Sequence, residues 1–242
     1  MGTVEKVIEI LVSRYAEDVS WLSTIKVARP FRITVVNKGK PLVWCEWPVV
    51  ELPNVGRCDH TYVHHFFHRF ESLEDVTLCI PASAYDIPLK RAKLAAILRR
   101  LEHQDSVFPL RLMHAQDLVH ETYTCAHPKN RGSSALVAAG CTYDEWWGRF
   151  IPVDQSLFVT LHGLFAVDRA SVHRHGRAFW GRLDGELSTG DNLQVGHFME
   201  RAWYSVLRGQ WYYDWKWSEL LLFKVILIVL LRSDAFALFS EN

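Results

Sequence analysis

The chain has 242 residues, of which 49% are hydrophobic and 22% are charged. This length and balance are typical of a globular protein of one domain to one and a half, and they exclude a disordered, collagen-like or coiled-coil chain. Lysine plus arginine equals aspartate plus glutamate at 27 each, so the net charge gives no sign of a nucleic-acid partner.

Short apolar or alternating runs predict four β-strands. A buried run occupies 7–13, and a run rich in β-branched residues occupies 31–37. A third run, at 75–81, ends at a proline, and a fourth, at 158–167, is interrupted by His162-Gly163.

Helices are predicted between these strands from caps and apolar spacing. They are a short helix from 20–22, one capped by Asp59 and running to about Phe70, an amphipathic one at 90–104, one capped by Asp168 and one from Gly196. Residues 105–157 are less regular, with a loop at 132–134. Because strands and helices alternate without long linkers, we predict one α/β domain over 1–242 with a mostly parallel, Rossmann-type sheet.

The cysteines and the chain ends predict a cytoplasmic protein. The five cysteines stand at no metal-ligand spacing, which favours free buried thiols in a reducing compartment; they are Cys45, Cys58, Cys79, Cys125 and Cys141. No secretory signal pattern begins the chain, because Glu5, Lys6 and Glu9 interrupt it. The apolar run Leu220 to Leu231 is too short for a transmembrane segment. It predicts a buried element, with weak membrane-surface contact as the alternative.

Histidines form the most conspicuous local pattern. His60, His64 and His68 recur at every fourth residue, so a helix would place them on one stripe, with His65 beside it. Two histidines one turn apart can bind zinc if a further ligand comes from elsewhere. A zinc-dependent hydrolase is therefore one alternative function. The aromatic neighbours favour polar packing or substrate hydrogen bonding instead.

Aromatic content suggests a second alternative. The chain has ten tryptophans, a number common in proteins that stack on sugars or bases, although core packing explains it equally well. A non-catalytic carbohydrate-binding module is therefore also considered. No Gly-rich phosphate loop and no Gly-x-Ser-x-Gly motif occurs.

Two acidic residues are the candidate catalytic groups. Asp59 follows a Gly-Arg turn at a predicted helix start, where it could serve as a cap or as a catalytic carboxylate. Glu200 lies on the predicted helix from Gly196, and by pattern alone it reads as an exposed or ion-paired glutamate.

Five blocks of the chain together resemble a known family. They are Leu11 to Asp18 with Trp21-Leu22, Val36 to Gly39, Leu52 to Arg57 with His60-Thr61-Tyr62 and His64-His65, Phe165 to Val167 with Arg169, and Gly196 to Trp203. This pattern is similar to that of a glycosyltransferase-like family of formerly unknown function from fungi, algae and large DNA viruses. Within that family, the resemblance is to the chlorovirus members that add xylose to the capsid-protein glycan.

The chain departs from the family pattern at two places. The family has glutamate where this chain has Cys58 and a small polar residue where it has Asp59. The family strand that ends "F-L-Q-G" here reads Leu78 to Pro81. The first departure moves a carboxylate by one position, which leaves open whether Asp59 or Glu200 is the base.

The resemblance implies a GT-A-like fold and inverting transfer of a sugar from a UDP-sugar, UDP-xylose first, to a glycan hydroxyl, with the enzyme in the host cytoplasm if the chain is viral. It implies Asp59 and Glu200 as catalytic carboxylates. The implied nucleotide-sugar ligands are Ser13, Arg14, Tyr15, Asn37, Lys38, Asn54, Arg57, His60 and His197.

No Asp-x-Asp motif, the usual metal-binding signature of such enzymes, occurs in the chain. We therefore expect no metal cofactor to be required beyond the UDP-sugar, although Mn²⁺ or Mg²⁺ could assist. Arg14, Lys38 and Arg57 are the cations expected to oppose the diphosphate charge.

Overall fold

The structure is a computed structural model, and it describes residues 5–112, 137–156 and 158–208. Met1–Leu207 form one compact unit and Arg208–Asn242 a second, of which only Arg208 is described. The single domain over 1–242 stays a prediction, and the loop at 132–134, Cys125 and the apolar run from Leu220 lie outside the described residues.

Five strands form the central sheet. They are β1 (Ile8–Arg14), β2 (Phe31–Asn37), β3 (Val49–Glu51), β4 (Val76–Pro81) and β7 (Phe165–Asp168), in the order β3-β2-β1-β4-β7. The pairs β1–β2, β1–β4 and β2–β3 are parallel, and β4–β7 is antiparallel. The predicted α/β class with a mostly parallel sheet is confirmed.

The described ranges contain six α-helices. They are α1 (Arg57–His68), α2 (Pro88–Arg100), α3 (Tyr143–Phe150), α4 (Arg169–His173), α5 (Arg177–Leu187) and α6 (Gln194–Arg208). Short 3₁₀ turns occupy Ser20–Thr24, Phe70–Ser72 and Ala82–Ala84. None of the helices in these ranges is long and apolar enough to cross a membrane.

Alternating side chains of the buried strands supply two cores. Leu11 and Cys79 belong to a core that includes residues of α1, α5 and α6, whereas Ile10 and Val12 belong to another that includes residues of α2. Successive residues of a strand point to opposite faces, so a strand buried on both sides becomes a continuous apolar run. This explains why β1 was predictable from its sequence.

The predictions of the last strand and of buried cysteines were wrong in part. The run 158–167 is not one interrupted strand: β6 (Phe158–Thr160) pairs with β5 (Leu110–Leu112), and β7 pairs with β4. Between them, His162 and Gly163 adopt positive φ angles of 76° and 61°, which turn the chain from one sheet into the other. The predicted free thiols are confirmed for the described cysteines, but only Cys79 is buried.

The start of α1 is set by backbone conformation, which corrects the predicted cap at Asp59. Gly56 is the N-cap residue, with φ 55°, and Arg57 follows at φ 51°. A Cβ atom on Gly56 would lie 2.3 Å from the Leu187 carbonyl oxygen. Asp59 is the third residue of α1, within its first turn, and caps nothing, whereas Asp168 caps α4 as predicted by accepting a hydrogen bond from the Ser171 amide at 2.7 Å.

Gly39 permits a close approach between the loops after β1 and β2. A Cβ atom there would lie 1.7 Å from the backbone oxygen of Tyr15. We expect Gly39→Ala to lower the free energy of unfolding by about 1–3 kcal/mol, because one loop must move. Gly148→Ala is the control, since nothing lies within 4 Å of a Cβ atom there. Urea unfolding measures the stability of both variants. If the two substitutions changed the free energy of unfolding by equal, small amounts, the steric explanation for Gly39 would be wrong.

Candidate functional site

The candidate site lies at the carboxyl edge of the central sheet. The chain passes from β1 to β2 on one side and returns through α1 to β4 on the other side of β1. In open α/β sheets, ligands bind outside the carboxyl ends of the strands where the order reverses in this way. The crevice between β1 and β4 is therefore the expected position.

Polar side chains at the ends of β1, β2 and β3 bond to one another. Arg14 donates to Asn37 Oδ1 at 2.6 Å and to the backbone oxygens of Glu17 and Lys40. Asn37 in turn donates to Glu51 Oε2 at 2.9 Å. Three predicted nucleotide ligands thus lie at this edge, because the Ser13 hydroxyl is also here, 2.9 Å from Thr61 Oγ1 of α1.

Lys38 lies beneath the loop that leads into α1, not on its surface. Its ammonium group donates to the backbone oxygens of Val55 and Arg57 and lies 3.4 Å from His60 Nδ1. Burial lowers the pKa of Lys38 to about 8. These bonds hold the loop, so the role of Lys38 as a diphosphate ligand stays a prediction.

The remaining predicted ligands divide into exposed and buried groups. Tyr15 and Asn54 are exposed, whereas His60 and His197 are buried. Arg57 donates to Asn192 Oδ1 at the start of α1. Burial, together with the charges of Arg57 and Arg201, lowers the pKa of His197 to about 4, so that its imidazole is neutral at physiological pH.

Asp59 and Glu200, 141 residues apart in sequence, form a carboxylate pair near the carboxyl end of β4. Asp59 is buried and accepts a hydrogen bond from Trp203 Nε1 at 2.7 Å, while half-buried Glu200 accepts one from the His162 amide at 2.7 Å. Burial, reinforced by the negative charge of Glu200, raises the pKa of Asp59 to about 7. A carboxyl group with this pKa can take or give a proton at neutral pH.

Cys58 and Tyr62 enclose the carboxylate pair without competing with it. Burial, then the charges of Asp59 and Glu200, raise the pKa of the Cys58 thiol, so it stays protonated and is a poor nucleophile. Tyr62 donates to the Gly163 backbone oxygen at 3.0 Å. A Cβ atom on Gly163 would lie 2.8 Å from Cys58 Sγ, so glycine allows the 162–163 turn to approach α1.

Two lysines of α2 were missed by sequence reasoning. Lys90 donates to Ser83 Oγ at 3.2 Å, just beyond β4, and Lys93 lies 3.1 Å from His162 Nδ1. The positive charge of Lys90 also acts on Cys58, the neighbour of Asp59 in sequence. The amphipathic pattern of α2 concealed them, because charged residues on a polar helix face are ordinarily solvated surface groups.

The histidine stripe faces α5, as a shared helix face predicts. His60 Nε2 and His64 Nδ1 lie 3.4 and 3.1 Å from Asp184 Oδ1, and His68 Nε2 lies 3.8 Å from Asp184 Oδ2. Asp184 therefore supplies the ligand that sequence reasoning required from elsewhere and did not find. His60, His64 and Asp184 are the residues of the described ranges with metal-ligand geometry.

A separate cavity of about 650 Å³ lies along the sheet face, away from the carboxylate pair. Its walls come from β1, β2, β3 and α1, with Thr61 of α1 and Trp47 of the segment before β3 among them. Glu9 lies in this wall. Burial alone would raise its pKa, but the interactions with His65, Thr34 and Arg32 are stronger and lower the pKa to about 2. The ionisable groups suited to proton transfer are at the carboxyl edge, so we place the candidate active site there.

No protein-family model and no curated protein matches the chain. The family suggested by the five sequence blocks consequently stays a resemblance. The site is described by its own geometry.

Proposed function

We propose that this chain is an inverting glycosyltransferase of GT-A-like fold that moves a sugar from a UDP-sugar to a hydroxyl of a glycan. The observation that carries the proposal is the carboxylate pair, with its Asp59 pKa near 7, beside the strand crevice where nucleotides bind in such sheets. Following the resemblance, the donor is UDP-xylose, the acceptor is a viral capsid-protein glycan and the location is the host cytoplasm.

Asp59 acts as the base. The carboxylate takes the proton of the acceptor hydroxyl as that oxygen bonds to the anomeric carbon. The bond from this carbon to the diphosphate breaks at the same time, and UDP leaves with the bonding electrons. Glu200 holds the His162 amide and keeps the pKa of Asp59 high, so that Asp59 is a strong enough base near neutral pH.

Fixed cations oppose the charge of the leaving diphosphate. Lys93 lies against His162, whose amide bonds to Glu200. The charge of Lys90 acts on Cys58, the neighbour of Asp59 in sequence, and Arg57, which begins α1, acts on Asp59 itself. Preorganised charges that face the developing negative charge lower the barrier without a metal. They support the expectation of transfer without added Mn²⁺ or Mg²⁺.

The tryptophans do not favour the carbohydrate-binding alternative. Five of the seven tryptophans in the described ranges are buried, among them Trp146, Trp180 and Trp203. Rings packed into a core present no face to a sugar. Packing thus accounts for most of the tryptophans in the described part of the chain, with Trp44 exposed as an exception.

Nucleotide selectivity tests the proposal. In calorimetric titration we expect UDP and UDP-xylose to bind saturably and ADP and GDP not to bind. Lys90→Gln should weaken UDP binding about tenfold, the loss of one charge-assisted contact, whereas Lys26→Gln, on an exposed segment before β2, should not change it. Equal weak binding of all four nucleotides would refute a uridine site, and binding only with added Mn²⁺ would show that a metal opposes the diphosphate.

A further inference from the structure

One cluster of ligand-type side chains lies outside the transfer mechanism. His60 and His64 come from successive turns of α1, and Asp184 comes from α5. The three donor atoms lie within 4.8 Å of one another. The backbones that present them are held independently of the cluster, because the Gly56 amide donates to the Gly190 backbone oxygen at 2.7 Å where α5 ends and α1 begins.

The separations of the two histidine nitrogens from Asp184 Oδ1 fit tetrahedral coordination. An ion with bonds of about 2.0–2.1 Å to nitrogen and oxygen holds neighbouring ligand atoms about 3.3 Å apart. The two measured histidine-to-carboxylate separations are 3.4 and 3.1 Å. Helical spacing i, i+4 brings two imidazoles to one side of an ion, as in established zinc sites.

We propose that His60 Nε2, His64 Nδ1 and Asp184 Oδ1 bind one divalent transition-metal ion, zinc first, which links α1 to α5. Two imidazoles and one carboxylate select zinc over Mg²⁺ or Ca²⁺, which prefer oxygen ligands alone. His64 also lines the cavity on the sheet face, so water can reach the fourth coordination position. His68, with its side chain 48% exposed, is not required as a ligand.

Lys38 limits the affinity of this site. Its ammonium group lies 3.4 Å from His60 Nδ1, the ring nitrogen that faces away from Asp184. A metal on Nε2 requires the hydrogen on Nδ1, which then points toward another donor and a positive charge. The two backbone oxygens that already bind Lys38 and the negative charge of Asp59 offset part of this positive charge. We therefore expect weaker binding than in a four-ligand structural zinc site.

Binding is tested with Zn²⁺ and Co²⁺ alone on the full chain after dialysis against a chelator. We expect the metal-free chain to bind one equivalent of Zn²⁺, or of Co²⁺ with the visible absorption bands of a tetrahedral cobalt ion. Zn²⁺, the tighter-binding ion, should abolish those bands when it displaces Co²⁺. The thermal midpoint should rise by about 5–10 °C at a hundredfold excess of Zn²⁺ over Kd. Neither readout depends on enzymatic activity.

Variants locate the ion. His64→Ala and Asp184→Asn should each weaken Zn²⁺ binding at least about 100-fold, whereas His68→Ala should change it less than about threefold. His103→Ala is the matched control, because that imidazole is 85% exposed and lies far along the chain. His64 and Asp184 are only half-buried, and circular dichroism of the metal-free variants verifies their fold.

The proposal is overturned if the parent binds no stoichiometric Zn²⁺. It is also overturned if binding survives both ligand variants, since the ion then lies elsewhere. If a variant does not fold, the cobalt spectrum of the parent is the test. A parent spectrum without tetrahedral bands would overturn the proposed site. These outcomes are distinguishable from failure of the transferase proposal, because neither Asp59 nor Glu200 is a ligand here and the variants replace none of the predicted nucleotide-sugar ligands.

Discussion

Replacing Asp59 by asparagine is expected to reduce sugar transfer about 10²- to 10⁴-fold, the usual cost of removing a general base. Donor binding should be unchanged, because asparagine is isosteric and its carbonyl oxygen can still accept the hydrogen bond from Trp203. The measurement is UDP release from UDP-xylose with a panel of simple glycosides as acceptors, alongside calorimetric titration with UDP.

Asp144→Asn provides the matched control for this substitution. Asp144 lies in the first turn of α3 as Asp59 does in α1, but it is exposed. The same chemical change should leave transfer within about twofold of the parent, since exposed surface substitutions have small effects. If Asp59→Asn transfers at the parent rate, Asp59 is not the base.

Glu200→Gln separates the roles of the two carboxylates. Glutamine keeps an oxygen for the His162 amide but removes the charge that raises the pKa of Asp59. With Asp59 as base, the acidic limb of kcat/KM should move to lower pH and transfer should persist. If Glu200→Gln lost all transfer activity while Asp59→Asn stayed active, Glu200 would be the base and Asp59 the supporting carboxylate.

Strand prediction succeeded where burial leaves a strong pattern and failed where it does not. β2 occupies the predicted residues 31–37, and β1 and β4 are displaced from prediction by one residue at most at each end. β3 was missed because its three residues are all exposed, so it carries no apolar periodicity. It exists because its backbone pairs with β2, a contact that no local pattern encodes.

Residue types suggested the site, but only the fold brings its members together. Asp59, after a Gly-Arg turn, looked like the cap of the helix, yet the left-handed backbone at Gly56 and Arg57 starts the helix with Gly56 as cap, three residues earlier. Asp59 therefore lies within the first turn, where it is buried. The resemblance pointed to both Asp59 and Glu200. That the charge of Glu200 raises the pKa of Asp59 depends on how α6 packs against α1, which is a property of the tertiary structure.

Asp184 likewise could not be identified from the sequence as the partner of the histidine stripe. The spacing of His60 and His64 predicted a shared face and called for another ligand. Any carboxylate on a helix packed against that face could have supplied it. The contact between α1 and α5 selects Asp184, whose own neighbours in sequence, Leu183 and Gly185, give no indication of a ligand.

The pH dependence of stability offers a second test of Asp59 that needs no substrate. Its pKa is about 7 in the folded chain against an ordinary value of 3.8. Between these values the folded state holds a proton that the unfolded state has released. The free energy of unfolding therefore falls by about 1.4 kcal/mol per pH unit as pH rises through this range, and this contribution of about 4 kcal/mol is lost above pH 7.

Asp59→Asn removes this dependence, so the variant should gain stability relative to the parent as pH rises. From pH 5 to pH 8 the difference between the two should widen by about 3 kcal/mol in favour of asparagine, measured by urea unfolding at both pH values. Other titrations cancel in the comparison. Glu9, with its pKa near 2, changes only at lower pH, and His197, with its pKa near 4, contributes the opposite slope equally to both proteins.

A buried carboxylate that destabilises the fold at neutral pH is expected of a functional group, not of a structural one. Asp144→Asn should show a constant difference from the parent at pH 5 and pH 8, because that carboxylate is exposed. A constant difference for Asp59→Asn as well would mean that Asp59 titrates at an ordinary pKa. It would then be fully ionised and too weak a base for the transfer step, and the assignment of Asp59 would have to be abandoned even if its replacement slowed the enzyme.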